Sequence, residues 1–119
     1  MPCGQQGNRC HVFLTDLDGK RLQSVAERLG ADFGTRNVGS IPLDVTDSES
    51  VAAAFKACCL RFGGIDVLVP NAGVAYVSDL RGLELDRFRK VIDVNLTGTA
   101  IVLKEAARIF EQQDTGGSV

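Results

Sequence analysis

The apolar positions along this 119-residue chain change period several times, and each change marks an element. Residues 1–10 are rich in Gly and Gln and show no periodicity, so they read as an irregular lead-in. His11-Val12-Phe13-Leu14-Thr15 has strand composition and stops at Asp16-Leu17-Asp18-Gly19. Leu22, Val25, Ala26 and Leu29 then fall at i, i+3, i+4 and i+7, the stripe of an amphipathic helix. Asp18 is placed to cap that helix and Gly30 to end it. Ser40-Ile41-Pro42-Leu43 reads as a short strand, although Pro42 speaks against it, since proline belongs on edge strands.

Thr46-Asp47-Ser48-Glu49 has the spacing of a capping box, with Asp47 as the alternative cap. The helix it opens carries Val51, Ala54, Phe55, Cys58 and Phe62 on one face. After Gly63-Gly64, Ile65-Asp66-Val67-Leu68-Val69 reads as a strand covered on both faces, ending in the small-residue turn Asn71-Ala72-Gly73. A loop from Val74 to Gly82 follows. Leu83 to Gln113 is helical in pattern, with Phe88, Val91, Ile92 and then Ala100, Leu103, Ala107, Phe110 as stripes. Asn95-Leu96-Thr97-Gly98 interrupts it with weak helix formers. Gly116-Gly117-Ser118-Val119 approaches one more strand. Strands alternating with helices predict an α/β fold with right-handed crossovers and a parallel sheet.

Composition narrows the classes of function. The chain is 45% hydrophobic and 24% charged with a formal net charge of -2, which gives no electrostatic case for nucleic acid or an anionic membrane. No apolar run approaches the ~18 residues of a membrane span. The N-terminus lacks the apolar segment of a signal peptide, so a cytoplasmic location is expected. Cys58 and Cys59 are adjacent in a helical pattern and read as reduced thiols. Cys3, Cys10 and His11 fit no zinc spacing, so no metal is expected.

The candidate chemistry sits at strand ends, where ligands of open α/β sheets bind. Asp16 can accept hydrogen bonds from a ribose diol and would repel a 2′-phosphate, which favours NAD over NADP, although Lys20 and Arg21 stand nearby. A plain surface or capping role is its alternative. Asp44-Val45 can bracket an adenine, the acid accepting from the exocyclic amine. Asn71-Ala72-Gly73 lets a nucleotide approach the backbone. Asn95 disfavours a helix interior because its amide competes for backbone groups. Together these residues describe an adenosine cofactor, and both a dinucleotide and S-adenosylmethionine fit that description.

Four segments in order resemble the short-chain dehydrogenase/reductase superfamily: Thr15-Asp16-Leu17-Asp18, Asp44-Val45-Thr46-Asp47, Gly64-Ile65-Asp66-Val67-Leu68-Val69-Pro70-Asn71-Ala72-Gly73 and Val94-Asn95-Leu96-Thr97-Gly98. The resemblance covers residues 11–119 and implies a Rossmann-like, doubly wound, three-layer α/β/α sheet. It implies NAD, with NADP less favoured, and hydride transfer to or from a secondary alcohol or carbonyl. It places Asp16 and Leu17 at the adenosine ribose, Asp44 and Val45 at the adenine, and Asn71, Ala72 and Gly73 along the cofactor. Asn95 matches the family's active-site asparagine, which helps hold a water in the proton relay. The helix over residues 96–113 resembles the one these enzymes use for dimer packing.

The sequence departs from the family at both ends. A first strand, TGxxxGxG loop and helix need about 30 residues, and ten precede His11. Gly4 and Gly7 are a faint echo of that loop. The family's YxxxK base and its serine are absent too, since Tyr76 has Leu80 four residues on, and Lys90 and Lys104 read as solvated helix charges. The expectation is a partial dehydrogenase, inactive alone and short of its first βα unit and catalytic end. The alternative is a nucleotide-binding or dimerisation module that pairs with a full-length relative.

Overall fold

The computed structural model describes residues 10–119. Residues 1–9 of the lead-in, with Gly4, Gly7 and Cys3, lie outside them. The chain divides into two compact units, one ending at Pro42 and the other spanning Leu43–Val119.

In the first unit, β1 (Val12–Asp16) pairs in parallel with β2 (Val38–Pro42) in the register Val12 to Val38 through Asp16 to Pro42. Val12, Leu14 and Thr15 give β1 its strand character and Val38 and Ile41 give β2 its own, and Pro42 occupies the last position of an edge strand, where its missing N–H costs least. The crossover is α1 (Gly19–Phe33), capped by Asp18, whose Oδ1 accepts from the amides of Lys20 and Arg21 at 3.1 Å each. The helix runs through Gly30, three residues past its expected end, and stops at Gly34, whose φ of 94° suits glycine. Gly30 is buried beside Thr35, and a Cβ there would make an ordinary contact of 3.4 Å with Thr35 Cγ2, so the position neither ends the helix nor excludes a small side chain. A 3-10 turn, Thr35–Asn37, leads into β2.

The second unit is built around α2 (Ser48–Phe62) packed on α4 (Thr99–Gln112). Asp47 caps α2 by accepting from the Glu49 amide at 3.0 Å. The capping box is not used, because the Thr46 hydroxyl turns back to Asp44. Gly63, at φ 87°, ends α2 in the left-handed conformation. Val51, Phe55, Val102 and Ala106 form the core, with Leu43, Val45, Ile65, Leu68, Ile101, Ile109 and Phe110 packed around it.

From Leu85 to Gln112 the chain is one continuous helical run. It consists of α3 (Leu85–Ile92), a π segment (Asp93–Gly98) and α4. Its inward positions in α4 are Val102 and Ala106, while Ala100, Leu103 and Ala107 of the expected stripe face outward. Large apolar residues lie on both sides of this helix, so periodicity allows two phases, and packing on Val51 and Phe55 selects one.

The segment Ile65–Val69 departs most from expectation. It forms one parallel bridge, Val67 to Ser118, with Leu68 N donating to Ser118 O and Ser118 N to Asp66 O at 2.9 Å each. Ile65 and Leu68 pack on the core, but Val67 and Val69 are 66% and 76% exposed. Among the described residues nothing covers that second face, so a run of aliphatics that reads as doubly buried is covered on one side only.

Candidate cofactor site

The predicted site residues fall in both units. Asp16 ends β1, and its Oδ1 accepts from the Asp18 amide at 2.9 Å. Asp18 takes the capping role, which leaves the second Asp16 oxygen without a hydrogen bond among the described residues. Asp16 lines a cleft of about 110 Å³ with Leu14, Thr15, Arg21, Leu22 and Val25. Leu17 beside it is 72% exposed.

In the second unit, Asp44 and Val45 follow β2. Asp44 Oδ1 accepts from the Thr46 hydroxyl at 2.7 Å and the Thr46 amide at 2.9 Å. These two bonds hold the Asp44 carboxyl below its ordinary pKa, hydroxyl first and amide second, with a smaller contribution from Lys90. The carboxylate is therefore a fixed acceptor at neutral pH. Ser50 Oγ accepts from the Asp44 amide at 3.2 Å and fixes the turn to the first coil of α2.

Val45 is held from above by Gly98. A Cβ on Gly98 would sit 2.7 Å from Val45 Cγ2, closer than carbon atoms approach, so this buried glycine is what lets the π segment rest on Val45. The structure thus joins two motifs separated by about fifty residues of sequence.

It also joins Asn95 to the glycine stretch. Asn95 Oδ1 accepts from Val74 N at 2.8 Å, and Asn95 Nδ2 donates to Val74 O at 2.9 Å. The amide is fully engaged with the backbone just past Gly73, and a Cβ on Gly73 would come to 3.4 Å from Asn95 Oδ1. Asn95 lies within the π segment, and its own carbonyl accepts the Thr99 hydroxyl at 2.7 Å. Wider helical turns of this kind recur at functional sites. Asn71, Ala72 and Gly73 are exposed, and the Asn71 amide makes no hydrogen bond among the described residues. Asn71-Ala72-Gly73 is irregular and does not make the sharp turn its small residues suggest, and its open face and fixed exit fit the close approach of a nucleotide.

Tyr76 is committed elsewhere. Its hydroxyl accepts from Glu84 N at 3.0 Å and donates to Gly82 O at 3.4 Å, while Arg87 stacks on its ring. It fastens the loop between Val74 and α3. Among the described residues no cluster of His, Cys, Asp or Glu could hold a metal ion, and no helix is long and apolar enough to cross a membrane. Sequence reasoning missed Thr46 as the partner of Asp44, and it missed Gln113. The side chain of Gln113 bonds Ile65 and Gly116, and no local pattern marks it.

An α/β chain with parallel pairing, acids after two strands and a glycine stretch buttressed by a helix defines a nucleotide-cofactor protein of Rossmann type. Comparison with known proteins identifies the family. Residues 4–119 match the family model described as Enoyl-(Acyl carrier protein) reductase. The trans-4-hydroxycyclohexanecarboxylate dehydrogenase of Sinomonas cyclohexanicum is 36% identical over 113 residues, covering 92% of this chain and 43% of that protein. The galactitol 2-dehydrogenase of Agrobacterium fabrum is 30% identical over 108 residues, covering 91% of this chain and 40% of its own. Among solved structures, a short chain dehydrogenase from Mycobacterium smegmatis superposes with a TM-score of 0.83 at 31% identity, covering 90% of this chain and 43% of that one. An alcohol dehydrogenase from Thermococcus sibiricus, complexed with 5-hydroxy-NADP, gives 0.80 at 34% identity, covering 91% and 45%. The chain belongs to the short-chain dehydrogenase/reductase superfamily of oxidoreductases. It spans under half the length of these relatives.

Proposed function

We propose that residues 11–119 form the cofactor-binding portion of an NAD-dependent short-chain dehydrogenase/reductase that acts on a secondary alcohol or carbonyl. The observation that carries this reading is the clamp of Asn95 on Val74, which holds the exit of the Asn71-Ala72-Gly73 stretch against the π segment. Asp44 and Val45 would receive the adenine, the ionised carboxylate accepting from its amine and the valine packing on its face. Asp16, with Leu17 beside it, would receive the ribose hydroxyls on the oxygen that makes no hydrogen bond among the described residues. A bound nicotinamide would supply the hydride chemistry. A 2′-phosphate would meet the Asp16 charge at close range, so NAD is favoured over NADP, with Arg21 in the same cleft as the counterweight.

Asn95 would act mainly through placement, since its amide is already spent on Val74. The residues of this chain include no YxxxK pair, so these 119 residues are expected to bind cofactor without turning it over. A cytoplasmic location accompanies this reading. Calorimetric titration with NAD and with NADP tests it. NAD should bind more tightly, and Asp16→Ala should weaken NAD by about tenfold while affecting NADP less. Absence of heat with both nucleotides would sink the proposal.

A second reading rests on α3 and its continuation. Leu85, Phe88, Ile92 and Leu96 are exposed in steps of three and four residues, Leu96 by 65%. Such a stripe suits packing against another helix. That stripe, continued by the helix over residues 96–113, would then pair copies of this chain, or pair it with a full-length relative, without catalysis. Sedimentation equilibrium separates the readings: a monomer at all concentrations removes self-association.

A further inference from the structure

The segment that carries the glycine stretch is fastened at both ends by side-chain amides from one helical run. At its far end Asn95 pairs with Val74. At its near end Gln113 does the same to Ile65: Oε1 accepts from Ile65 N at 3.2 Å and Nε2 donates to Ile65 O at 2.6 Å. Gln113 Nε2 also donates to Gly116 O at 2.6 Å, tying in the approach to Ser118. Gly64 makes room for this amide, since a Cβ there would stand 2.9 Å from Gln113 Oε1.

The two fastenings run in opposite order along the two segments: Asn95, in the π segment, holds Val74, and Gln113, just past the end of α4, holds Ile65. Between the clamps the segment is held by one bridge, at Val67, and by the packing of Ile65 and Leu68 on the core.

We propose that Gln113 is a positioning residue for the Asn71-Ala72-Gly73 stretch, fixing the register of Ile65–Val74 along the α4 helix so that Asn95 meets Val74. A slip by one residue would flip every side chain of the segment and carry Gly73 away from Asn95. The consequence for cofactor binding rests on the function proposed above, but the register itself is testable without cofactor.

Residue-resolved amide hydrogen exchange on the full chain provides the test, with Gln113→Met and Gln113→Glu as variants. Gln113→Met keeps bulk and removes the amide, and it should speed exchange at Val74 N by about tenfold although Val74 lies at the other clamp. In Gln113→Glu a carboxylate oxygen faces two carbonyl oxygens, so at neutral pH the variant should behave like the Met form. As the pH falls through the range of a carboxylic acid, the protonated group regains a donor, and protection should return toward the wild type measured at the same pH. A side chain acting through bulk would show no such pH dependence. If Gln113→Met does not fold, the Glu variant decides alone. Changes confined to Ile65 and residues 116–118, with Val74 unaffected, would overturn the inference. So would a Glu variant indifferent to pH. An NAD titration of wild type and Gln113→Met then follows, with about tenfold weaker binding expected in the variant. A wild type that binds no nucleotide would refute the cofactor reading and leave the exchange result standing.

Discussion

The side-chain amide of Asn95 and the backbone of Val74 exchange two hydrogen bonds, at 2.8 and 2.9 Å, across 21 residues of sequence. An asparagine in the middle of a helical run is tolerated because both its donor and its acceptor are spent on another segment. Its interference with the helix's own bonds is correspondingly small. Asn95→Ala should therefore destabilise the chain by about 1 kcal/mol. Two partly exposed bonds are lost, and a few tenths are recovered from better helix propensity. Asn95→Asp keeps an acceptor for the Val74 amide but sets an oxygen against the Val74 carbonyl, so it should lose nearly as much. Urea midpoints of the three proteins measure this, and equal midpoints would mean the clamp contributes nothing.

Gly98→Ala sets two effects against each other. Alanine improves helix propensity by about 1 kcal/mol, but its Cβ would sit 2.7 Å from Val45 Cγ2 and 3.3 Å from the Val45 carbonyl oxygen. Overpacking of that kind costs about 1–3 kcal/mol, and the backbone atom leaves little room to yield. Packing should win, giving a lower melting temperature. Coupling to Val45→Ala, which removes the obstructing methyls, should recover part of the loss in a double-mutant cycle.

Thr46 governs the ionisation of Asp44. Because the folded-state pKa is depressed, the stabilisation it brings is present above the unfolded value of about 3.9 and is lost as pH falls through the folded value. Thr46→Val removes the larger cause and leaves the amide. The Asp44 carboxyl should titrate closer to its ordinary range, as read from its side-chain carbon resonance. The stability gap between the two proteins should be present at pH 7 and close below about pH 4.

Burial pushes the Cys58 thiol up to about 11, with the neighbouring Cys59 adding to the effect. At pH 8 its thiolate fraction is then on the order of one in a thousand. Peptide mapping after brief alkylation at pH 8 should find exposed Cys10 modified well before Cys58. Comparable labelling would contradict the partial burial of Cys58 on α2.

Much of the fold was legible in the residues because it is locally encoded. The Asp18 and Asp47 caps, the glycine stop at Gly63, the alternation of strand and helix and the interruption at Asn95 all depend on short-range spacing. The four motifs that resemble the dehydrogenase family carried the class, and the comparisons bear it out. Tertiary structure decided what depends on residues far apart. It chose Val102 and Ala106 over Ala100, Leu103 and Ala107 as the inner face of α4, because apolar residues on two faces satisfy the period twice. It kept α1 helical through Gly30, where Thr35 packs against the backbone. It left Val67 and Val69 exposed, because a strand's burial is supplied by its neighbours and not by its own composition. It also gave Asn95, Gly98 and Gln113 their partners at Val74, Val45 and Ile65. A side-chain amide states that it needs a donor and an acceptor, but the folded chain alone determines whose backbone supplies them.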